Sequence, residues 1–523
     1  MIQEKTLPRR DVLRGLTAAG VLAAVGGSLG APRAYAAFET PAETPRRGGR
    51  IRVASVSSST ADTLDPAKAA LSTDYARLNM LYSGLTQFDS ALNAQPALAE
   101  EIHDSGRILW TIKLRKGVQF HNGKPLTPTD VVYSLLRHKN PATASKMKSI
   151  ADQFQEVEVS GPNEVQIQLT GANADLPAIL ADAHFLIVPD GTTDFRTAVG
   201  TGPYRCKEFT PGVRTIGTRN PNYWKPNKPY LDEIELVGIG DESARVNALL
   251  SGDVQLINAI NPRSIRRVRA SADHAVQETK SGLYTDLIMR RDMMPSGHPD
   301  FVLAMKYLLN RELTCKALFR GYATIANDQP IPPSNRYFLA DLPQRPYDPE
   351  RAKFLLKKAG LSGVRLVVYA SPAAEGSVDM ASILQLSAAE IGLNMAVNRV
   401  PSDGYWSNHW MKHPLGFGNI NPRPTADLLF STCFKSDAPW NESGWKNEQF
   451  DQLLVAARGE ADEGKRKQMY GDMQLLIHEK GGIGIPVFIS LLDAYEKRLR
   501  GYGSIPIGGL MGYSFADNVW LDA

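Results

Sequence analysis

Between residues 108 and 137 the chain prescribes a strand, two tight turns and a capped helix in immediate succession. Ile108, Trp110, Ile112 and Leu114 alternate with polar neighbours, the period-two pattern of a strand with one buried face. Gly117 and Asn122-Gly123 supply the positive-φ positions that two turns need. Thr127-Pro128-Thr129-Asp130 then opens a helix. Its threonine caps the first amides, its proline sits where no amide partner is required, and its acid can return a hydrogen bond. The alternation continues to the C-terminus. Strands are expected over 50–54, 234–237, 364–369, 395–400 and 485–489, with a hairpin joining 157–159 to 164–169 across Gly161-Pro162-Asn163. Helices are expected over 241–251, closed by Gly252, over 300–319 behind Pro299, and over 351–359 behind Asp348-Pro349-Glu350. Three more are expected near 380–391, 450–458 and 462–480. Strands alternating with helices specify α/β lobes around central sheets. A chain of 523 residues exceeds what one hydrophobic core holds, so more than one domain is expected.

The first 36 residues are of another kind. Lys5, Arg9, Arg10 and Arg14 precede a run of Ala, Gly and Leu, which leads to Ala34-Tyr35-Ala36. A basic start, a weakly apolar stretch and an A-x-A site read as an export signal cleaved after Ala36, which places the mature chain in the periplasm. Arg9-Arg10-Asp11-Val12-Leu13-Arg14 is similar to the twin-arginine motif, the export route for folded cargo. The glycine-diluted run is too weakly apolar for a membrane span, which takes about 20 strongly apolar residues. Residues 37–49 read as a flexible leader.

Charge and cysteine content narrow the function. The whole chain carries 59 basic and 55 acidic residues, and the first 36 hold five and two of these, which leaves 54 against 53. A nearly neutral mature chain lacks the concentrated basic face that displaces counterions from a phosphate backbone, so no nucleic-acid partner is expected. Cys206, Cys315 and Cys433 are widely spaced, form no C-x-x-C and read as free thiols. No H-E-x-x-H and no phosphate loop occurs, and the one G-x-S-x-G match, 26–30, lies in the export segment. Gly200-Thr201-Gly202-Pro203 lacks the third glycine of a dinucleotide turn. His409 and His413 could share a helix face as metal ligands; without a recognisable second shell they read as surface histidines, and neither a metal nor a cofactor is expected. No catalytic motif anchors an enzyme.

Several segments in series resemble the extracytoplasmic solute-binding proteins of peptide-type ABC importers, family 5. The strongest runs from Trp110 through Gly117, His121-Asn122-Gly123-Lys124-Pro125 and Asp130 to Val132. Others are Gly200-Thr201-Gly202-Pro203-Tyr204, Arg219-Asn220-Pro221-Asn222-Tyr223-Trp224, Tyr230-Leu231-Asp232-Glu233-Ile234 and Tyr347-Asp348-Pro349-Glu350-Arg351-Ala352. The resemblance implies an α/β, two-lobe periplasmic binding protein fold (class II, large cluster C type) with a hinge between the lobes. The first lobe would take 50–285 and 487–523, with an extra subdomain near 85–195, and the second 290–485. It further implies a non-enzymatic, monomeric receptor that binds a peptide or peptide-like solute in the interlobe cleft. The solute would pass to ABC permease subunits in the inner membrane. An oligosaccharide, an opine-like conjugate or a metal chelate is the alternative cargo, and an exported hydrolase the rival from another class. In such a family Trp110, Phe120, Tyr223 and Trp224 would be scaffold rather than ligand contacts.

The resemblance also directs attention to an aromatic, loop-like stretch over 405–427. Trp406 and Trp410 are four apart and could wall a cleft. Peptide-binding relatives carry a Gly-Trp-x-x-Asp segment whose aspartate holds the peptide's α-ammonium. This chain has Phe417 for the tryptophan and Ile420 for the acid. Asn419, Asn421 and Arg423 are the nearest polar replacements, and Asp427 could be presented by a shifted loop. An arginine favours a carboxylate or phosphate over an ammonium, so Arg423 is read as a grip for an anionic group, with a structural ion pair as the alternative. From the first lobe, Asp62, in the loop after the opening strand, is a candidate contact.

Overall fold

The computed structural model describes residues 44–522. The export segment and the proposed cleavage site lie outside the described residues. Gly48 and Gly49, read above as leader, are tied to the fold: their amides donate to the Tyr230 carbonyl and to Asp232 Oδ2, both at 2.9 Å.

The main sheet is built from β1 (Arg50–Ser55), β2 (Tyr204–Thr210), β3 (Arg214–Arg219), β4 (Glu233–Gly238), β5 (Leu256–Ile257), β6 (His274–Met289), β7 (Arg365–Ala370), β8 (Asn394–Arg399), β9 (Leu415–Ile420) and β10 (Val487–Glu496). Across the sheet the order is β8-β7-β9-β6-β10-β5-β1-β4-β3-β2. β1 runs parallel to β4 and β5, and β7 parallel to β8 and β9, as crossover helices demand. Two long strands, β6 and β10, run antiparallel through the middle and break register between Thr279 and Leu283. One core, around Ile51, Val53, Leu236 and Tyr204, lies at the β1 end. Two others, around Leu287, Phe301 and Val368 and around Phe430, Tyr470 and Ile485, lie at the opposite end. A separate four-stranded sheet with Leu109–Leu114 at its centre has its own core of Trp110, Ile112, Phe120 and Val165. The molecule thus has two lobes, one carrying an extra subdomain, strung on β6 and β10.

Most local expectations hold, with informative shifts. The strand Leu109–Leu114 buries Trp110, Ile112 and Leu114, while Ile108 falls outside it and is exposed. Thr127 and Asp130 form the expected capping box on the helix Pro128–Leu136. Gly117 and Gly123 take positive φ; Asn122 does not, and its Oδ1 accepts from the Lys124 amide instead. The long helix expected over 300–319 is broken. Pro299–Leu308 ends before Asn310, whose side chain caps a new turn at Leu313. The break leaves Lys306 buried with its Nζ on the carbonyls of Ile477 and His478. The stretch 405–427, expected as loop, contains β9, a central strand paired to both β6 and β7. Its glycines, Gly416 and Gly418, hide the alternation that Leu415 and Phe417 carry.

The Gly200-Thr201-Gly202-Pro203 turn packs directly on backbone. A Cβ on Gly202 would overlap the Leu81 carbonyl carbon and the Tyr82 amide, and neither can move aside. Gly202→Ala is therefore expected to destabilise the fold by about 1–3 kcal/mol through overpacking, read as a lower urea midpoint at unchanged slope.

Candidate functional site: a cleft with an unpaired arginine

A cavity of about 960 Å3 opens between the lobes. The first lobe lines it with the helix Ser72–Leu81, with segments near 181–186 and 223–228, and with the chain's last turns. The second lobe contributes Asn421–Pro424, Leu428, Thr432, Pro439 and Trp440. The volume is at the upper end of small-molecule sites, enough for a peptide-sized solute.

The charges in its wall are unequally matched. Three acids line it: Asp89, Asp182 and Asp517. Asp182 pairs with His184 Nδ1 at 2.7 Å. Burial alone would raise the Asp182 carboxyl, but the charge and hydrogen bonds of His184 bring it below its ordinary value, while Asp182 raises His184 against its own burial. Asp517 accepts from Lys225 Nζ at 2.6 Å and from the Tyr223 hydroxyl at 3.1 Å. Burial pushes it up, and Lys225 and Lys228 outweigh that and hold it low. Asp89 is saturated by Asn93, Gln95 and the Ala91 amide. Each acid is already spoken for. The Arg423 guanidinium, half-buried, stacks over the Trp440 ring at 5.0 Å and makes neither a hydrogen bond nor an ion pair with another described residue. The Lys146 ammonium, exposed at the rim, is likewise unpaired among described residues. The uncompensated charge of the wall is positive.

Of the seven residues singled out from sequence, the structure brings two to this wall, Asn421 and Arg423. Asp62 lies outside it, buried and consumed by Arg77 at 3.0 Å and by Ser58, Ser59 and the Gly212 amide. Asn419 braces β9 to β6 through the Tyr284 carbonyl and Thr285 Oγ1. Asp427 is buried against Arg458 Nε at 2.9 Å. Trp410 donates its indole N–H to Glu442 Oε1 at 2.6 Å, and Trp406 stands edge-on to Trp410 away from the cavity. Ile420, at the position where an acid was sought, is core beside Tyr284. Asp62 and Asp427 are thus claimed by buried ion pairs and Asn419 by the pairing of β9 with β6, while Trp410 is bonded to Glu442 and Trp406 packs on it outside the cavity. Tyr223 and Trp224, expected as scaffold, line the cavity, as does Trp440. Tyr75, Asp182, His184 and Asp517 carried no local signal, being drawn from positions up to several hundred residues apart. His409 Nδ1 and His413 Nε2 lie 3.3 Å apart, and among the described residues no group of three or more metal-ligating side chains assembles.

Residues 93–442, more than half of the chain, match the model of the bacterial extracellular solute-binding proteins, family 5. The chain is 27% identical over 490 residues to the glutathione-binding protein GsiB of Escherichia coli (strain K12), covering 87% of this chain and 92% of that protein. Among solved structures, it superimposes with a TM-score of 0.79 on the periplasmic binding protein DppA from Helicobacter pylori in complex with the peptide STSA. Identity there is 22%, over 91% of this chain and 99% of that one. The binding protein AgaA from A. tumefaciens R10, in complex with agropinic acid, matches with a TM-score of 0.77 at 21% identity, over 91% and 99%. At these identities the structural likenesses establish the fold.

Proposed function

Because the chain belongs to the bacterial extracellular solute-binding proteins of family 5, we propose that it is the receptor of an ABC importer and captures a peptide or peptide-like solute bearing a carboxylate. The observation that carries the ligand class is Arg423, an unpaired guanidinium in a wall whose acids are all matched. An anionic group placed on it forms a charge-assisted, two-pronged contact and completes the wall's charge balance. A bare ammonium finds no free carboxylate there. The rest of the wall suits a backbone: Tyr75, Asn421 and the aromatic faces of Trp224 and Trp440 offer hydrogen bonds and apolar cover.

The mechanism is mechanical rather than chemical. Two lobes hinge on β6 and β10, with the register break between Thr279 and Leu283 as the pivot and the boundaries near 285–290 and 485–487. A solute touching both walls favours the closed form by its differential contacts. Each tenfold gain of the closed over the open form takes about 1.4 kcal/mol of such preference. The exported, monomeric receptor then hands the unaltered solute to permease subunits in the membrane. The aromatic wall also fits a sugar-derived acid of the opine type, which keeps the carboxylate and changes only the remainder.

Thermal unfolding in the presence of candidate solutes tests the reading. Reduced glutathione and acidic or neutral dipeptides are expected to stabilise the protein by about 2.7 kcal/mol at a hundred times their Kd. Their carboxamide counterparts should lose most of the effect, and the solute should be recovered unchanged. Stabilisation by amidated or cationic peptides alone, or turnover of the bound solute, would refute it.

A further inference from the structure

The lobes meet again outside the paired strands. The segment 173–175 and the turn at Arg107 belong to the subdomain of the first lobe; the helices Glu448–Gly459 and Glu463–Lys480 belong to the second. Asp175 Oδ1 lies 2.9 Å from Arg466 Nη2, with side chains only 4% and 3% exposed. The Ala174 amide donates to the Arg458 carbonyl at 3.0 Å. The Arg107 guanidinium donates to the carbonyls of Glu460 and Ala461, the second at 3.3 Å. Arg336 stands 3.9 Å from the same Asp175 oxygen, and the pair Asp427–Arg458 lies alongside.

Each partner is set in place by its own lobe. Arg466 is held by the Ala457 carbonyl, the Tyr337 hydroxyl and the faces of Tyr337 and Tyr470, all in the second lobe. The Asp175 backbone amide donates to Asn173 Oδ1, and the Asn173 amide grips Gln153, all in the first, which fixes the chain at Asp175. Arg466 is thus ordered before the lobes meet, which lowers the conformational entropy the contact costs. Arg107 sits on an exposed hairpin turn and reaches bare carbonyls, contacts that the subdomain itself does not need. Arg107 and Arg466 line neither the main cavity nor the smaller chamber of about 520 Å3 beyond Pro422–Pro424.

We propose that Arg107, Asp175 and Arg466 form a clasp that holds the lobes shut, making them positioning residues that set solute affinity without touching the solute in the main cavity. Only the effect on affinity rests on the function proposed above; the hold of the clasp on the closed form is tested without any solute. Small-angle scattering of the solute-free chain tests it, with reduced glutathione titrated afterwards as the probe. Arg107→Ala and Asp175→Asn should each lower the closed-to-open ratio by about tenfold or more, raising the radius of gyration and weakening the probe in proportion. Arg107→Lys, which keeps a donor, should stay near the parent protein. If Asp175→Asn fails to fold by circular dichroism, Arg107→Ala decides alone. A parent protein that scatters as open, or variants whose scattering matches the parent's with only a lower melting temperature, overturns the clasp. Absence of glutathione binding with the scattering shift intact would instead overturn the assigned solute.

Discussion

Arg423→Ala should weaken binding of a carboxylated peptide about 30-fold, roughly 2 kcal/mol, the range of a hydrogen bond to a charged group. The expectation rests on what the side chain does in the free protein. Its guanidinium makes no hydrogen bond or ion pair with a described residue; it stacks on the Trp440 ring at 5.0 Å and acts on Asp182, already paired with His184, only at longer range. Removing it therefore leaves no buried acid unmatched, and the melting temperature of the free protein should barely change. Arg423→Lys should recover part of the affinity, since an ammonium keeps the charge but loses the planar, two-pronged geometry. Trp440→Leu separates stacking from charge: it should cost less than Arg423→Ala and leave the preference for a carboxylate over a carboxamide intact. Calorimetric titration with reduced glutathione, and with its amide as control, reads all three. An Arg423→Ala protein that binds as tightly as the parent removes the arginine from recognition and the anionic ligand class with it.

The second large effect lies in the core of the second lobe. Asp286, on β6, faces Gly418 on β9, and the space that a side chain at Gly418 would fill is occupied by the Glu442 carboxyl. The two acids meet there, both buried, and neither Asp286 oxygen receives a hydrogen bond from an ordinary donor. Trp410 donates to Glu442, and Arg290 reaches only the Glu442 backbone carbonyl. Burial pushes Asp286 above the ordinary carboxylate range, and burial together with the Asp286 charge raises Glu442 well above its own. A shared proton satisfies the pair. Both folded values lie above the unfolded ones, so the native state holds protons that the unfolded chain releases. This contribution is complete below pH 4 and is lost as pH rises through the raised values of the pair. Asp286→Asn supplies a permanent amide donor to Glu442 in place of the proton. Its denaturation midpoint should fall less steeply between pH 5 and pH 8 than the parent's, because one of the two titrating acids is gone while burial still raises Glu442. A parent midpoint that is flat across this range, or a variant that tracks the parent, would show that the pair is not protonated.

Both predictions turn on residues that local pattern served unequally. Arg423 drew notice because a family pattern put an acid three residues earlier and this chain has Ile420 there. The same pattern also offers Asn419 as a nearby replacement and Asp427 through a shifted loop, and these bond β6 and Arg458 instead of facing the cavity. Glu442, in a turn, and Asp286, in a strand, have no sequence neighbours that announce their meeting. Asp62 looked available after an opening strand, yet Arg77, fifteen residues on, closes a buried ion pair with it at 3.0 Å.

Short-range chemistry was sufficient for the elements themselves. Period-two alternation in Leu109–Leu114, the box between Thr127 and Asp130, and the caps at Asp348 and Asp462 depend on contacts within a few residues, so the chain states them directly. It also carried enough of these signals in series to mark the two-lobe α/β fold. The identity of the cavity wall was decided elsewhere. Tyr75, Asp182, Lys225 and Asp517 meet only when the first lobe folds, and Arg423 joins them only when β6 and β10 carry the second lobe across. Whether a charge in that wall is free or spent depends on partners brought together by that packing, because neutralisation is a matter of distance in space and not of spacing along the chain.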